Sequence, residues 1–333
     1  MHRILTLLLI CSIISTPLSP LETTDLSFDG ASAYNFLEDQ CDFGTRPPGS
    51  ENLSQCRTYI AETLQSFGWD VSLQNFTYHD VDCANIIARD SDYPNASIIL
   101  GAHYDTRPLA DRDPNPENRD KPVMGANDGA SGTAVLMELA RILPEDIRNR
   151  IEIVLFDAED SGDINGWGWI VGSTYYVNQL SPEKIANISA MILLDMVGGL
   201  HLRLPREYFS RGNLQDTIWS IAEQLGYSDT FLDSGGSAIY DDHIPFINAG
   251  IPSLDIIHHD PFPATWHTVN DIPDNCSPDS LEKVGRVMEY FILNQTGWTG
   301  GFEQSSSFPM EFVFIGVIGG LALITLVIYL KRK

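Results

Sequence analysis

Short apolar runs alternate with amphipathic stretches along the middle of this 333-residue chain. Ile98-Ile-Leu-Gly-Ala102, Ile151-Glu-Ile-Val-Leu-Phe156, Ala190-Met-Ile-Leu-Leu194 and Pro252-Ser-Leu-Asp-Ile-Ile257 have the length and composition of buried strands. Between and after them, Ala134 to Leu143, Leu214 to Leu225 and Leu281 to Leu293 read as helices. An earlier helix is predicted over Leu53 to Phe67, where Tyr59, Ile60, Leu64 and Phe67 fall at helical spacing and Gly68 supplies a stop. Strands alternating with helices predict an α/β fold, a three-layer sandwich with a mostly parallel central sheet flanked by helices. The chain has no internal repeat, Gly-rich phosphate loop or second domain.

Both ends depart from that pattern. Met-His-Arg, an apolar run from Ile4 to Ile14, and then Ser, Thr and Pro have the order of a secretory signal, placed at residues 1–20. Phe312 to Leu330 holds no charged residue and ends in Lys331-Arg-Lys333. At ~1.5 Å per residue that segment reaches about 28 Å, roughly a bilayer core. The expectation is a C-terminal transmembrane helix over 312–330, a linker over 304–311, and a cytoplasmic basic end over 331–333. The body, 21–303, then lies outside the cell or in a lumen, anchored to the membrane. The four cysteines left after signal removal, Cys41, Cys56, Cys83 and Cys276, allow three pairings. Cys41 with Cys56 is expected, because it closes a short Pro/Gly-rich loop. Sequons at Asn52, Asn75, Asn95, Asn187, Asn275 and Asn294 are compatible with surface glycans. The formal net charge of −25 argues against nucleic acid as a partner, since phosphate binding needs a basic face.

The polar residues change the picture most. Every predicted core strand is followed at once by acid or histidine: His103-Tyr-Asp105, Asp157-Ala-Glu-Asp160, Asp195, and His258-His-Asp260 with Trp266-His267 beyond. Open α/β sheets bind ligands past the carboxyl ends of their strands. Imidazole and carboxylate gathered there make a zinc-like ligand set, and without a Cys-x-x-Cys pair a thiolate ligand is not expected. Asp128 is the one ionisable side chain in Met124-Gly-Ala-Asn-Asp-Gly-Ala-Ser-Gly132. It has two readings, a helix cap and a carboxylate that small neighbours leave open to a metal.

Six segments, "GAHYDTRP", "GANDGASG", "LFDAEDSGD", "LLDMVGG", "DDHIPF" and "FPATWHT", occur in that order, within a similarity that covers most of residues 40–295. Together they resemble the zinc-dependent M28 peptidase family, and within it the glutaminyl-peptide cyclotransferases of the animal type. The resemblance implies the same α/β sandwich. It implies zinc held by Asp128, Asp160 and His267, with Glu159 as general acid and base. Asp195 and Asp241 correspond to the further carboxylates of the cyclases, and Trp266 to a pocket wall. Asp160 stands where the family usually has Glu, one methylene longer. Asp255 stands where animal cyclases have a histidine. His103 and Asp195 match positions that hold a second zinc in M28 aminopeptidases, so one zinc is expected and two are possible.

Other residues have plainer readings. His103 is either a second-metal ligand or a hydrogen-bonded core histidine, with Asp105 orienting it. His258 and His259 read as loop residues, and Trp167 and Trp169 as packing or pocket rim. Three functions follow: cyclisation of an N-terminal Gln of peptides or proteins to pyroglutamate with release of ammonia, hydrolysis by a two-zinc aminopeptidase, and a non-catalytic ectodomain. The intact Glu159 argues against the last.

Overall fold

A computed structural model describes residues 26–90 and 96–294. Its centre is a six-stranded sheet in the order β1 (Asp70–Tyr78), β2 (Val81–Arg89), β4 (Ile151–Phe156), β3 (Ile98–His103), β5 (Ala190–Asp195), β8 (Ser253–Ile257). β4, β3, β5 and β8 are mutually parallel, and β1 and β2 form an antiparallel hairpin on the β4 edge. Two short strands, β6 (Leu204–Arg206) and β7 (Phe231–Gly235), pair apart from it. The four parallel strands are buried along their whole length, which is why they read as continuous apolar runs.

Helices cover both faces. On one, α3 (Ala130–Ile142) lies on β3 and β5, with α1 (Gly30–Asp42), α2 (Glu51–Ser66) and Pro278–Asn294 packed around it. Gly132 makes that approach: a Cβ there would stand 2.1 Å from the Leu194 carbonyl oxygen. On the other face, Val171–Asn178 and Ile244–Asn248 pack through Tyr176, Val177 and Phe246 onto Ile99, Val154, Phe156, Met191 and Leu193. Each fully buried side chain of that size contributes about 1.5–3 kcal/mol of hydrophobic stabilisation.

The predicted strands and helices fall where the pattern puts them, with ends shifted by a few residues. Leu53 to Phe67 is the helix Glu51–Ser66, whose start Ser50 caps by accepting the Leu53 N–H. Ala134 to Leu143 begins four residues earlier, at Ala130. α1 and the β1–β2 hairpin have no counterpart in the sequence reading. β1 buries Phe76 alone, so it carries almost no apolar alternation.

Two expectations need correction. No helix among the described residues is long and apolar enough to cross a membrane. The α/β fold therefore stands without the transmembrane helix assigned to it, and membrane anchoring is unsupported; 312–330, like the signal at 1–20 and the linker at 304–311, lies outside the described residues. Cys41 and Cys56 are not bridged, and both are buried free thiols, as are Cys83 and Cys276. The Pro/Gly-rich loop between α1 and α2 is held instead by Arg46. Its buried guanidinium donates to the carbonyls of Gln40, Gly44, Met124 and Gly125.

Candidate active site

The chain runs from β3 to β4 on one side and crosses back to β5 on the other. That reversal opens a crevice at the carboxyl ends of these strands, the place where open α/β sheets take ligands. β3 ends in His103. The turn after β4 carries Asp157, Glu159 and Asp160. Asp195 ends β5, and His267 follows β8 on a loop. Positive φ angles mark three of these turns, at Ala158 (60°), Met196 (47°) and His267 itself (54°). Strained backbone gathers at functional sites when the surroundings over-determine it.

Asp128 sits in the loop before α3. It is not a cap, because the helix N-cap is Gly129, which makes no side-chain bond. Nor do the small neighbours simply leave space. Gly129 has φ of 106°, and a Cβ there would meet the Asp105 carbonyl oxygen at 2.4 Å. The glycines let the loop press against β3. Asp271 fixes it from outside, accepting the N–H groups of Asn127 and Asp128 at 2.8 and 3.0 Å. Burial, reinforced by Asp128, pushes the Asp271 carboxyl up to about 7.

Two triads meet at Asp128. Asp128, Asp160 and His267 form one, and His103, Asp128 and Asp195 the other; in each the ligand atoms lie within 4.8 Å of one another and all three residues are buried. His267 Nε2 is 3.1 Å from Asp160 Oδ1 and 3.6 Å from Asp128 Oδ2. His103 Nε2 is 3.2 Å from Asp128 Oδ1 and 3.3 Å from Asp195 Oδ1. Its Nδ1 is 3.5 Å from Asp105, which also accepts the N–H groups of Glu159 and Asp160. Burial pushes the His103 imidazole down, but Asp105, Asp128 and Asp195 outweigh it and raise its pKa well above the ordinary value.

These residues fit a divalent cation. Asp128 Oδ2 and Asp160 Oδ2 are buried without a hydrogen-bond partner among the described residues. Asp128, Glu159, Asp160, Asp195 and Asp241 all line one cavity of about 390 Å³, an excess of buried negative charge that a cation would balance. Burial raises the Glu159 carboxyl well above the usual range, with Asp241, Asp160 and Asp242 adding to it and His103 opposing. Burial also raises Asp195. Asp241 is pushed up to about 7 by burial and by Asp195.

The cavity wall is aromatic. Trp266 stacks on His267 with ring centres 3.9 Å apart, and Phe262 stacks on Trp266 at 4.2 Å. Trp169 lies parallel to His267 at 6.1 Å and lines the cavity, whereas Trp167 packs against Tyr78 and His79. His258 and His259 are buried after β8 and belong to neither triad.

Beside the site, Asp255 is the position already noted in the sequence, whereas its neighbours His243 and Glu207 have no signal there. Asp255 is buried, and among the described residues neither of its carboxylate oxygens has a hydrogen-bond partner. It faces His243 Nδ1 at 3.7 Å, and His243 Nε2 stands 3.4 Å from Glu207. His243 is the residue at the start of the short helix Ile244–Asn248, which precedes β8. Glu207 in turn accepts the N–H groups of Phe209, Ser210 and Ile239, tying the loop before Asp241 in place. Burial pushes Glu207 up, but His243 and these N–H groups bring it down to about 2.

A strand-end crevice in an α/β sheet, lined by His/Asp triads able to hold a metal, is the kind of site an enzyme of this fold uses. Residues 85–292 match peptidase family M28, and the chain belongs to that family. The mouse glutaminyl-peptide cyclotransferase-like protein is 27% identical over 293 residues, covering 76% of this chain and 72% of its own. A glutaminyl cyclase of Bacteroides thetaiotaomicron, solved with N-acetylhistamine bound, is 35% identical with a TM-score of 0.75, over 81% of this chain and 99% of that one. A Zn-dependent exopeptidase of Parabacteroides distasonis is 33% identical with a TM-score of 0.74, over the same shares.

Proposed function

We propose that the chain is a zinc-dependent glutaminyl-peptide cyclotransferase, acting on peptides or proteins with N-terminal Gln. The observation that carries this reading is the set of three buried acids, Glu159, Asp195 and Asp241, lining one cavity beside the Asp128–Asp160–His267 triad. Hydrolysis needs one base to activate water, whereas cyclisation must also position a leaving amide nitrogen. The cyclase relatives add to the support.

Asp128, Asp160 and His267 would hold the zinc, which would supply Lewis acidity toward the γ-carboxamide oxygen. Glu159 takes a proton from the substrate's α-amine as that nitrogen bonds to the side-chain carboxamide carbon, Cδ. The bond from that carbon to the amide nitrogen breaks, and Glu159 returns the proton to the departing ammonia. Attack is intramolecular, so no water nucleophile has to be held. Asp195 and Asp241 accept hydrogen bonds from the leaving amide N–H groups, and Trp266 closes the pocket around the Gln side chain. Asp241→Asn tests the assignment: kcat on Gln-peptides falls about tenfold or more, as for loss of a group acting on the leaving atom, while bound zinc is unchanged. Unaltered kcat in a folded variant removes Asp241 from the mechanism.

A second reading has its own observation. The His103–Asp128–Asp195 group is complete and shares Asp128 with the first. Filled with a second zinc, it would suit a two-metal aminopeptidase with Glu159 acting on a bridging water.

A further inference from the structure

Two side chains outside the triads close a ring around one of them. Arg107, just past β3, has 3% of its side chain exposed. Its Nε and Nη2 donate to the two carboxylate oxygens of Asp111 at 2.7 and 2.9 Å. Nη1 points the other way and donates to Asp160 Oδ1 at 3.1 Å, and more weakly to the carbonyls of Asp160 and Gly162. Asp111 Oδ1 in turn stands 3.6 Å from His267 Nδ1. The circuit Asp160–Arg107–Asp111–His267 therefore runs from one candidate ligand to another and closes across the 3.1 Å between them. Trp169 packs on both, parallel to His267 and 4.8 Å beneath the Arg107 guanidinium.

A buried guanidinium beside a metal ligand is unfavourable once a dication is present, so charge balance alone is a poor reason for it. Its geometry gives a better one. Arg107 occupies Asp160 Oδ1 and leaves the buried, unpartnered Oδ2 as the free donor. Asp111 stands 3.6 Å from His267 Nδ1, which makes no hydrogen bond among the described residues, while Nε2 faces Asp128 and Asp160; an Nδ1–H drawn toward Asp111 would leave the Nε2 lone pair for the metal. A carboxylate behind a ligating histidine fixes its tautomer and raises its basicity. The fork also steadies a carboxylate one methylene shorter than the Glu usual at this position.

We infer that Arg107 and Asp111 form a clamp that positions Asp160 and His267 for the metal. The inference rests on the zinc reading above and not on which reaction follows. Zinc affinity of the full chain, measured by competition with a chelating dye, tests it in Arg107→Met, Arg107→Lys and Asp111→Asn. Loss of such an outer partner costs about ten- to a hundredfold in metal affinity, and that loss is expected for Arg107→Met and Asp111→Asn. Arg107→Lys recovers little of it, because a point charge cannot grip both oxygens of Asp111 and reach Asp160. With cobalt in place of zinc, Asp111→Asn should also shift the visible spectrum, which loss of packing alone does not do. Asp111 is 38% exposed and Asn keeps its shape, so this variant carries the test if Arg107→Met does not fold. Zinc bound equally tightly by the parent and the folded variants overturns the clamp alone. A parent that binds no zinc overturns the metal reading, and the clamp with it.

Discussion

The two triads that share Asp128 use the same kinds of atom and differ in what surrounds them. Around Asp160 and His267 the partners sit behind the ligands: Arg107 on one oxygen of Asp160, Asp111 behind His267 Nδ1, and the rings of Trp169 and Trp266 stacked near the imidazole. Unpartnered oxygens of Asp128 and Asp160 remain in front. Around His103 a carboxylate also stands behind, Asp105 at 3.5 Å from Nδ1, and Nε2 lies within 3.3 Å of Asp128 and Asp195; what the first triad has besides is the Arg107 fork and the aromatic rings. The first arrangement suits a resident cation. The second lacks that fork, and its imidazole sits among Asp105, Asp128 and Asp195. Identical ligand types in one sequence can thus sit in different surroundings, and outer partners tune metal affinity.

The strongest way to break this contrast is His267→Ala. A catalytic zinc has three protein ligands, and removing one of them should abolish both bound zinc and activity. Zinc retained in full by that variant would move the metal elsewhere and reverse the order of the two triads.

Next in size is Glu159→Gln. Turnover should fall by about 10²–10⁴-fold, the usual worth of a positioned proton carrier, with zinc content unchanged. Loss of zinc along with activity would make Glu159 a ligand rather than a base.

His103→Ala sharpens the comparison from the other side, and the smallest effect is expected there. One zinc per chain and appreciable cyclisation of Gln-peptides should survive, because the residue then only hydrogen-bonds. A drop from two zincs to one, with all turnover gone, would make the two triads equal partners.

Much of this arrangement was legible in the sequence. The four buried strands announce themselves as apolar runs, and the acids and histidines directly after them mark the crevice edge. Asp128, Asp160, His267, His103 and Asp195 converge because parallel strands deliver all their carboxyl ends to one side. Arg107 and Asp111 were not legible. They lie in irregular chain, where no periodicity relates one residue to the next, and only their shared contact with Asp160 and His267 gives them meaning. Asp271 is hidden for the same reason, acting on Asp128 across 143 residues of chain. Misreadings came from counting without shape. The short loop that invited a Cys41–Cys56 bridge is closed by Arg46, and the glycines around Asp128 serve close backbone approach.

The most direct test of the account counts metal and product together in the unmutated chain. Zinc per chain is determined by elemental analysis, and the same preparation is offered a Gln-peptide and an amino-acid anilide. The account predicts one zinc, with ammonia and a pyroglutamyl peptide from the first substrate. Two zincs, anilide cleavage and no ammonia from the Gln-peptide would contradict it and assign both triads to a peptidase.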